Sequence, residues 1–280
     1  MGLYDNHNHC SFSFDAGGTS VESSARAAIE QGLDGMCFTD HYDFYTPDMK
    51  LNLRQGHDDV FDIPGQQAEI DKVQRLLDSQ GHNFRIFKGI EMGLQKDCRD
   101  KIRQLMREHS FDEVIASVHY LDGTDPFYGT YYSGLTWQQS YGHYLETLYE
   151  EMVWLDSDFD IMGHYDYVTR YGPYPKASIL YGDFPDLLDT MFKYLIENGK
   201  ALEINTKTYQ TFADGRTPIL DDALLLRYKE LGGEALSLGS DSHKASAVGF
   251  HLPDFAAKLK ALGFRWEVHF ESRRMVMTPL

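Results

Sequence analysis

The sequence predicts an α/β fold with a parallel sheet, and two observations carry that expectation. Seven short apolar runs alternate with seven amphipathic stretches along the 280 residues, and no low-complexity or Pro/Gly/Ser linker divides them. Residues of metal-ligand type follow every apolar run, as expected where the C-terminal ends of strands share one rim. Strands joined through helices need crossover connections, and the right-handed rule leaves a barrel or a doubly wound sheet as the economical outcomes. The length suits one barrel domain spanning residues 1–280.

Taken in order, the strands are expected at 3–6, 35–39, 85–90, 113–118, 160–163, 201–204 and 235–238. Helical patterns separate them at 20–31, 66–79, 97–109, 137–157, 184–198, 220–231 and 253–262. Gly32, Gly199 and Gly263 stand where three of these helices should stop, because a residue without Cβ adopts the left-handed conformation that closes a helix. The segment 264–277 alternates polar and apolar residues and reads as a hairpin or as closing strands.

With 42% hydrophobic, 14% aromatic and 25% charged residues, the chain can bury a sizeable core. Its 43 acidic residues against 26 basic ones, a formal charge of −17, would repel a phosphate backbone over most of the surface, so nucleic acid is not expected as a partner. Cys10, Cys37 and Cys98 form no CxxC pair and no even disulfide framework. Polar residues follow the first few positions at once, and no later run is long enough to span a bilayer. The expectation is a cytoplasmic protein without a membrane span.

The chemistry lies after the strands. The first runs into His7-Asn8-His9, the second into Thr39-Asp40-His41 and the third into Glu91. The fourth and fifth deliver His119 and His164, the sixth ends at Glu203 and Asn205, and the seventh precedes Asp241-Ser242-His243. Six of the twelve histidines fall at these places, whereas His57, His82, His109, His143, His251 and His269 lie in loops, on helices or in the C-terminal segment and are read as non-ligands. Residues two apart on an extended segment face the same way, so His7 and His9 can share an ion, as can Asp241 and His243. A carboxylate can bridge two cations because its oxygens carry separate lone pairs, which makes Glu91 the expected bridge. Imidazole and carboxylate without thiolate point to zinc, manganese or iron. Tyr128, Tyr131 and Tyr132 are read as wall and lid packing.

At these residues the chain resembles the polymerase and histidinol phosphatase family, and within it the histidinol-phosphatase branch. The resemblance covers nearly the whole chain. It rests on His7-Asn8-His9 with Ser13 and Asp15, Phe38-Thr39-Asp40-His41, Gly89-Ile90-Glu91, Ser117-Val118-His119, Gly163-His164-Tyr165-Asp166 and Gly239-Ser240-Asp241-Ser242-His243. It implies a distorted (β/α)7 TIM-like barrel with three divalent metal ions. One ion would be held by His7, His9, Glu91 and Asp241, a second by Glu91, His119 and His164, and a third by Asp15, His41 and His243. Many relatives carry histidine where Asp15 stands. Arg170 resembles the branch's phosphate-binding arginine. The second arginine of that branch is missing from Thr206-Lys207-Thr208-Tyr209, which leaves Lys207 and Arg216 as its alternatives.

The implied reaction is hydrolysis of a small phosphate monoester, with L-histidinol phosphate as the branch's substrate. A water bridging two ions would lose a proton near neutral pH and attack phosphorus in line with the leaving oxygen. Arg170 would neutralise phosphoryl oxygens, Asp40 would orient a ligand imidazole, and Asp43 and Asp166 would face the substrate's amine and imidazole. The competing readings are another small phosphate ester, an amidohydrolase-type hydrolase, which also opens with HxH, and a non-catalytic metal-storing module. Glu91 and His41, where amidohydrolases commonly use a modified lysine bridge, favour phosphoester chemistry.

Overall fold

The computed structural model describes residues 2–45 and 59–280; His57 lies outside the described residues. The elements run β1 (Tyr4–Asn8), α1 (Val21–Glu30), β2 (Gly35–Phe38), β3 (His41–Tyr42), α2 (Ile63–Ser79), β4 (Arg85–Gly93), α3 (Arg99–Glu108) and β5 (Glu113–Ser117). They continue with α4 (Trp137–Leu155), β6 (Ile161–Met162), α5 (Pro185–Glu197), β7 (Ala201–Asn205), α6 (Asp222–Glu230), β8 (Leu236–Gly239), α7 (Leu252–Ala261), β9 (Trp266–Glu271) and β10 (Arg274–Pro279). All seven expected strands are present. The two-residue β3 is additional, and it pairs with β4 so that His41 lies opposite Glu91.

The parallel strands neighbour one another in the order β1-β2-β4-β5-β6-β7-β8. The ring is nearly closed: a single bridge joins Asn8 to Ser242, and the His9 N–H donates to the Ser242 carbonyl at 2.8 Å. This is the distorted seven-stranded parallel barrel, and the doubly wound alternative is excluded because its outer strands would not meet. Within a strand, side chains alternate between the helical layer and the barrel interior. On β5, Val114 and Ala116 join the large core under the helices, whereas Ile115 packs inside the barrel.

Local signals explain the helix boundaries. Asp62 accepts from the Gly65 N–H and Pro64 occupies the first turn, so α2 starts at Ile63, three residues before the periodicity becomes apolar. Thr136 and Gln139 form a reciprocal capping box at the start of α4. Gly32, Gly199 and Gly263 all have positive φ, as their expected stop positions require. Among the described residues, no helix is long and apolar enough to cross a membrane.

The C-terminal segment is an antiparallel hairpin, with Phe270 opposite Met275 and Val268 opposite Met277. Its turn, Ser272-Arg273, has φ of +50° and +65°, the left-handed pair a tight hairpin demands, yet neither residue is the glycine or asparagine that signals such a turn. Val268 and Phe270 pack with Ile115, Ile161 and Ala201, so β9 plugs the base of the barrel. Tyr4 stacks on His269 with ring centroids 3.9 Å apart, and Asn6 Nδ2 donates to the Val268 carbonyl. Phe270 is only 2% exposed, so Phe270→Ala should lower unfolding stability by about 3–5 kcal/mol through lost burial and a cavity at the base. A denaturant midpoint within error of the parent would show that the hairpin is not integral to the barrel.

Candidate metal centre

The strand ends bring ligand-type side chains onto one carboxylate. Glu91, fully buried near the end of β4, turns Oε1 toward His164 Nε2 at 2.7 Å and His119 Nε2 at 3.1 Å. Its Oε2 faces His41 Nδ1 at 2.8 Å, His7 Nε2 at 3.2 Å and His9 Nε2 at 3.5 Å. Beside it, Asp241 Oδ1 lies 3.4 Å from His9 Nε2 and 3.5 Å from His243 Nδ1. Asp15 Oδ2 joins His243 Nε2 at 2.9 Å and His41 Nε2 at 3.5 Å. The nine ligand-type residues singled out from the sequence therefore sit in one contiguous cluster.

The cluster's donor atoms fit divalent ions. His7 Nε2, His9 Nε2, His41 Nδ1 and Glu91 Oε2 are buried without a hydrogen-bond partner among the described residues, an arrangement that costs free energy unless a cation satisfies them. Ligand atoms held about 2.0–2.2 Å from one ion lie roughly 3–3.5 Å from each other, the range of most of these separations. Among the described residues, four triplets have donor atoms within 4.8 Å of one another: His7, His9 and Asp241; His7, Glu91 and His164; His41, Glu91 and His119; and His9, His41 and His243.

Other side chains aim the imidazoles. Glu203 on β7 meets His7 Nδ1 at 2.6 Å through Oε1 and accepts the His164 N–H at 2.5 Å through Oε2. Ser13 Oγ lies 3.1 Å from His9 Nδ1 and accepts the His41 N–H at 3.0 Å. Asp43 Oδ2 is 3.0 Å from His119 Nδ1, and a side chain at Gly93 would run into that carboxylate. The contacts on His7, His9 and His119 hold Nδ1 and leave Nε2 facing the centre, the usual division of labour in ligating histidines, whereas those on His164 and His41 hold the backbone N–H and His41 turns Nδ1 toward Glu91. Burial would raise the Glu91 carboxyl, but the imidazoles of His7, His41 and His119 overcome it and hold the group well below the usual carboxylate range. Burial disfavours charge on His41, yet Glu91 and Asp15 more than compensate and raise it to about 10. Cations entering the cluster must therefore displace protons.

A cavity of about 290 Å³ opens onto the cluster. Arg170 and Lys207 line it beside Asp241, with Arg170 Nη1 2.8 Å from Asp241 Oδ2 and Lys207 Nζ 3.0 Å from Asp241 Oδ1. Asp43, Asp59 and Asp125 line it near His119, together with the rings of Phe127, Tyr167 and Tyr171.

A family model described as the PHP domain matches residues 5–207. This chain belongs to the PHP family. A histidinol-phosphatase of Lactococcus lactis subsp. lactis is 32% identical over 265 residues, covering 94% of this chain and 93% of the relative. The PHP barrel superposes on the crystal structure of histidinol phosphate phosphatase from Lactococcus lactis subsp. lactis, complexed with Zn, L-histidinol and phosphate, with a TM-score of 0.80, 30% identity and 98% coverage of both chains. It shares its fold with the putative histidinol phosphatase of Listeria monocytogenes, at a TM-score of 0.69 and 18% identity, over 90% of this chain and 99% of that one.

Three expectations for individual side chains of this PHP chain need correction. Arg216 is not at the site: it is tied to Asp214 at 2.6 Å and to the Tyr174 carbonyl at 2.7 Å, because the loop after β7 carries it past the cavity. Asp40 touches no imidazole; it accepts the N–H groups of Cys10 and Ser13 and the Gln66 side chain, so its reach to His9 runs through Ser13. Asp166 does not line the cavity, because the Thr208 and Tyr209 hydroxyls hold it. Asp125 is a cavity group that the sequence did not announce, since it belongs to no strand-end motif, whereas Lys207, one of the two alternatives for the second arginine, does line the cavity. Stripping divalent ions with a chelator should lower the unfolding temperature, and zinc or manganese should restore it, because stripping exposes the unpartnered Glu91 cluster. An unfolding temperature indifferent to chelator and metal would contradict this fit.

Proposed function

We propose that the chain is a metal-dependent histidinol-phosphatase that hydrolyses L-histidinol phosphate to L-histidinol and phosphate. The whole of residues 1–280 would act as one barrel unit in cytoplasmic histidine biosynthesis. Support comes from the likeness to the Lactococcus enzyme and from the donor set around Glu91. The observation that carries the reading is the two-ended cavity: cationic groups gather about Asp241 and carboxylates about His119, matching an anionic phosphate joined to a cationic amine.

Three divalent ions, zinc, manganese or iron, would be held by His7, His9, Glu91 and Asp241, by Glu91, His119 and His164, and by Asp15, His41 and His243; His7, His9 and Asp241 form a close triplet as they stand, while Glu91 groups with His7 and His164 and with His41 and His119. Bound there, such ions supply positive charge to phosphoryl oxygens and acidify water for in-line attack. The chain's own groups do the rest. Arg170 is anchored by Nη1 on Asp241 and Nε on Thr208 Oγ1, while its buried Nη2 has no partner among the described residues and is available to a phosphoryl oxygen. Lys207 takes the place of the second arginine as a point charge beside Asp241 and His243, giving up the fixed two-pronged geometry of a guanidinium.

At the other end, Asp125 accepts the Phe127 N–H and the Tyr167 hydroxyl on Oδ1, and Oδ2 engages none of the described residues. It faces the same cavity as the Phe127 and Tyr171 rings, where an imidazole and an ammonium group would find an aromatic wall and a counter-charge. Another small phosphate ester is the alternative substrate, since Lys207 specifies phosphate without specifying the alcohol.

Assays of the metal-loaded protein on L-histidinol phosphate beside a panel of monoesters test the reading, and a preference for an uncharged ester would overturn the substrate. Arg170→Ala should reduce kcat/KM by roughly 100-fold or more, because it removes a preorganised donor from the developing phosphoryl charge. A smaller loss than that of a surface arginine control would remove Arg170 from the mechanism. Burial pushes the Asp125 carboxyl up to about 6, so it is charged above that pH and neutral below it. KM for a cationic ester should therefore rise as pH falls through about 6, KM for an uncharged ester should not, and Asp125→Asn should abolish the difference. Identical pH profiles for both esters in the parent protein would rule out this role.

A further inference from the structure

The barrel's seam is held by side chains where every other strand junction is held by a ladder. β8 and β1 share no run of paired residues; only the Asn8–Ser242 bridge joins them among the described residues. In place of a ladder, the Asp5 carboxylate is fully buried on β1 and faces the chain just beyond β8. Asp5 Oδ1 accepts the Ser240 N–H at 2.8 Å, and Oδ2 accepts the Ser240 hydroxyl at 2.6 Å and the Gly249 N–H at 2.7 Å. Ser242 Oγ then donates to Asn8 Oδ1 at 2.7 Å. These bonds grip the segment on both sides of Asp241 and His243.

Two backbone features show why the grip matters. Asp241 has φ of +49°, a left-handed conformation that a non-glycine residue keeps only when its surroundings impose it. Gly239 passes so close to β1 that a Cβ there would stand 2.5 Å from His7 Cβ. A slip along the seam would therefore move Asp241 and His243 away from His7, His9 and Asp15.

We infer that Asp5 is a positioning residue for metal binding: through Ser240 and Gly249 it sets Asp241 and His243 against the β1 histidines. A carboxylate suits the task because all three groups it meets are donors, whereas an asparagine amide would turn one N–H₂ against them. The inference rests on the metal reading above, and its test separates the two. Metal-stripped parent, Asp5→Asn and Ser240→Ala proteins are titrated with zinc, following ions bound per chain by elemental analysis and the metal-induced rise in unfolding temperature.

Asp5→Asn should weaken the most loosely held zinc by about 10–100-fold and shrink the metal-induced rise, as loss of a group that orients ligands does. Ser240→Ala, which keeps its N–H on Asp5, should shift both readouts the same way by less. If Asp5→Asn does not accumulate as folded protein, the Ser240→Ala comparison decides alone. Asp5 would be merely a structural fastener if its variants lost equal stability with and without zinc and kept the parent's zinc affinity. A parent protein that bound no zinc would overturn the metal reading, and this inference with it.

Discussion

A buried carboxylate surrounded by imidazoles governs this structure. Glu91 has no exposure to water, and five histidines direct ring nitrogens at its two oxygens. Two oxygens cannot satisfy five rings by hydrogen bonding alone, so several donors stay orphaned. Divalent cations relieve that frustration, because one ion satisfies several lone pairs at once. The surrounding contacts, Glu203 on His7, Ser13 on His9 and Asp43 on His119, limit how far the rings can turn to find other partners.

The barrel makes this convergence possible. Parallel strands tilt around the axis, so residues from 7 to 243 reach one rim although adjacent strands meet in quite different register. The base is closed by an element outside the repeating units, the β9–β10 hairpin, which fills the interior with Val268 and Phe270. Apolar packing below and polar clustering above divide the barrel into a part that stabilises and a part that binds. The seam between β1 and β8 belongs to both, since it closes the wall and carries four of the ligand-type residues.

Charge is distributed with the same logic. The chain is strongly acidic overall, yet two basic side chains, Arg170 and Lys207, line the cavity. Arg170 and Lys207 are held beside the cluster by Asp241, so their positive charge is directed into the cavity. The carboxylates near His119 supply the opposite pole. A molecule with phosphate at one end and a cation at the other can satisfy both, and the family likeness points to the same kind of molecule.

The sequence by itself determined the seven strands along the chain and the ligand-type residues after them, because periodicity and the chemistry of strand ends are local properties; the arginine after His164 came from the family resemblance. It also placed Glu91 at the centre, since only a carboxylate can face two groups of ligands at once. Tertiary structure alone decided that Arg216 turns away while Lys207 enters the cavity, that Asp40 reaches His9 through Ser13, that Asp125 lines the cavity and that Asp5 clasps the far end of the chain. Those outcomes depend on loop paths and on barrel closure, which join residues as many as 244 positions apart and leave no spacing in the chain to reveal them.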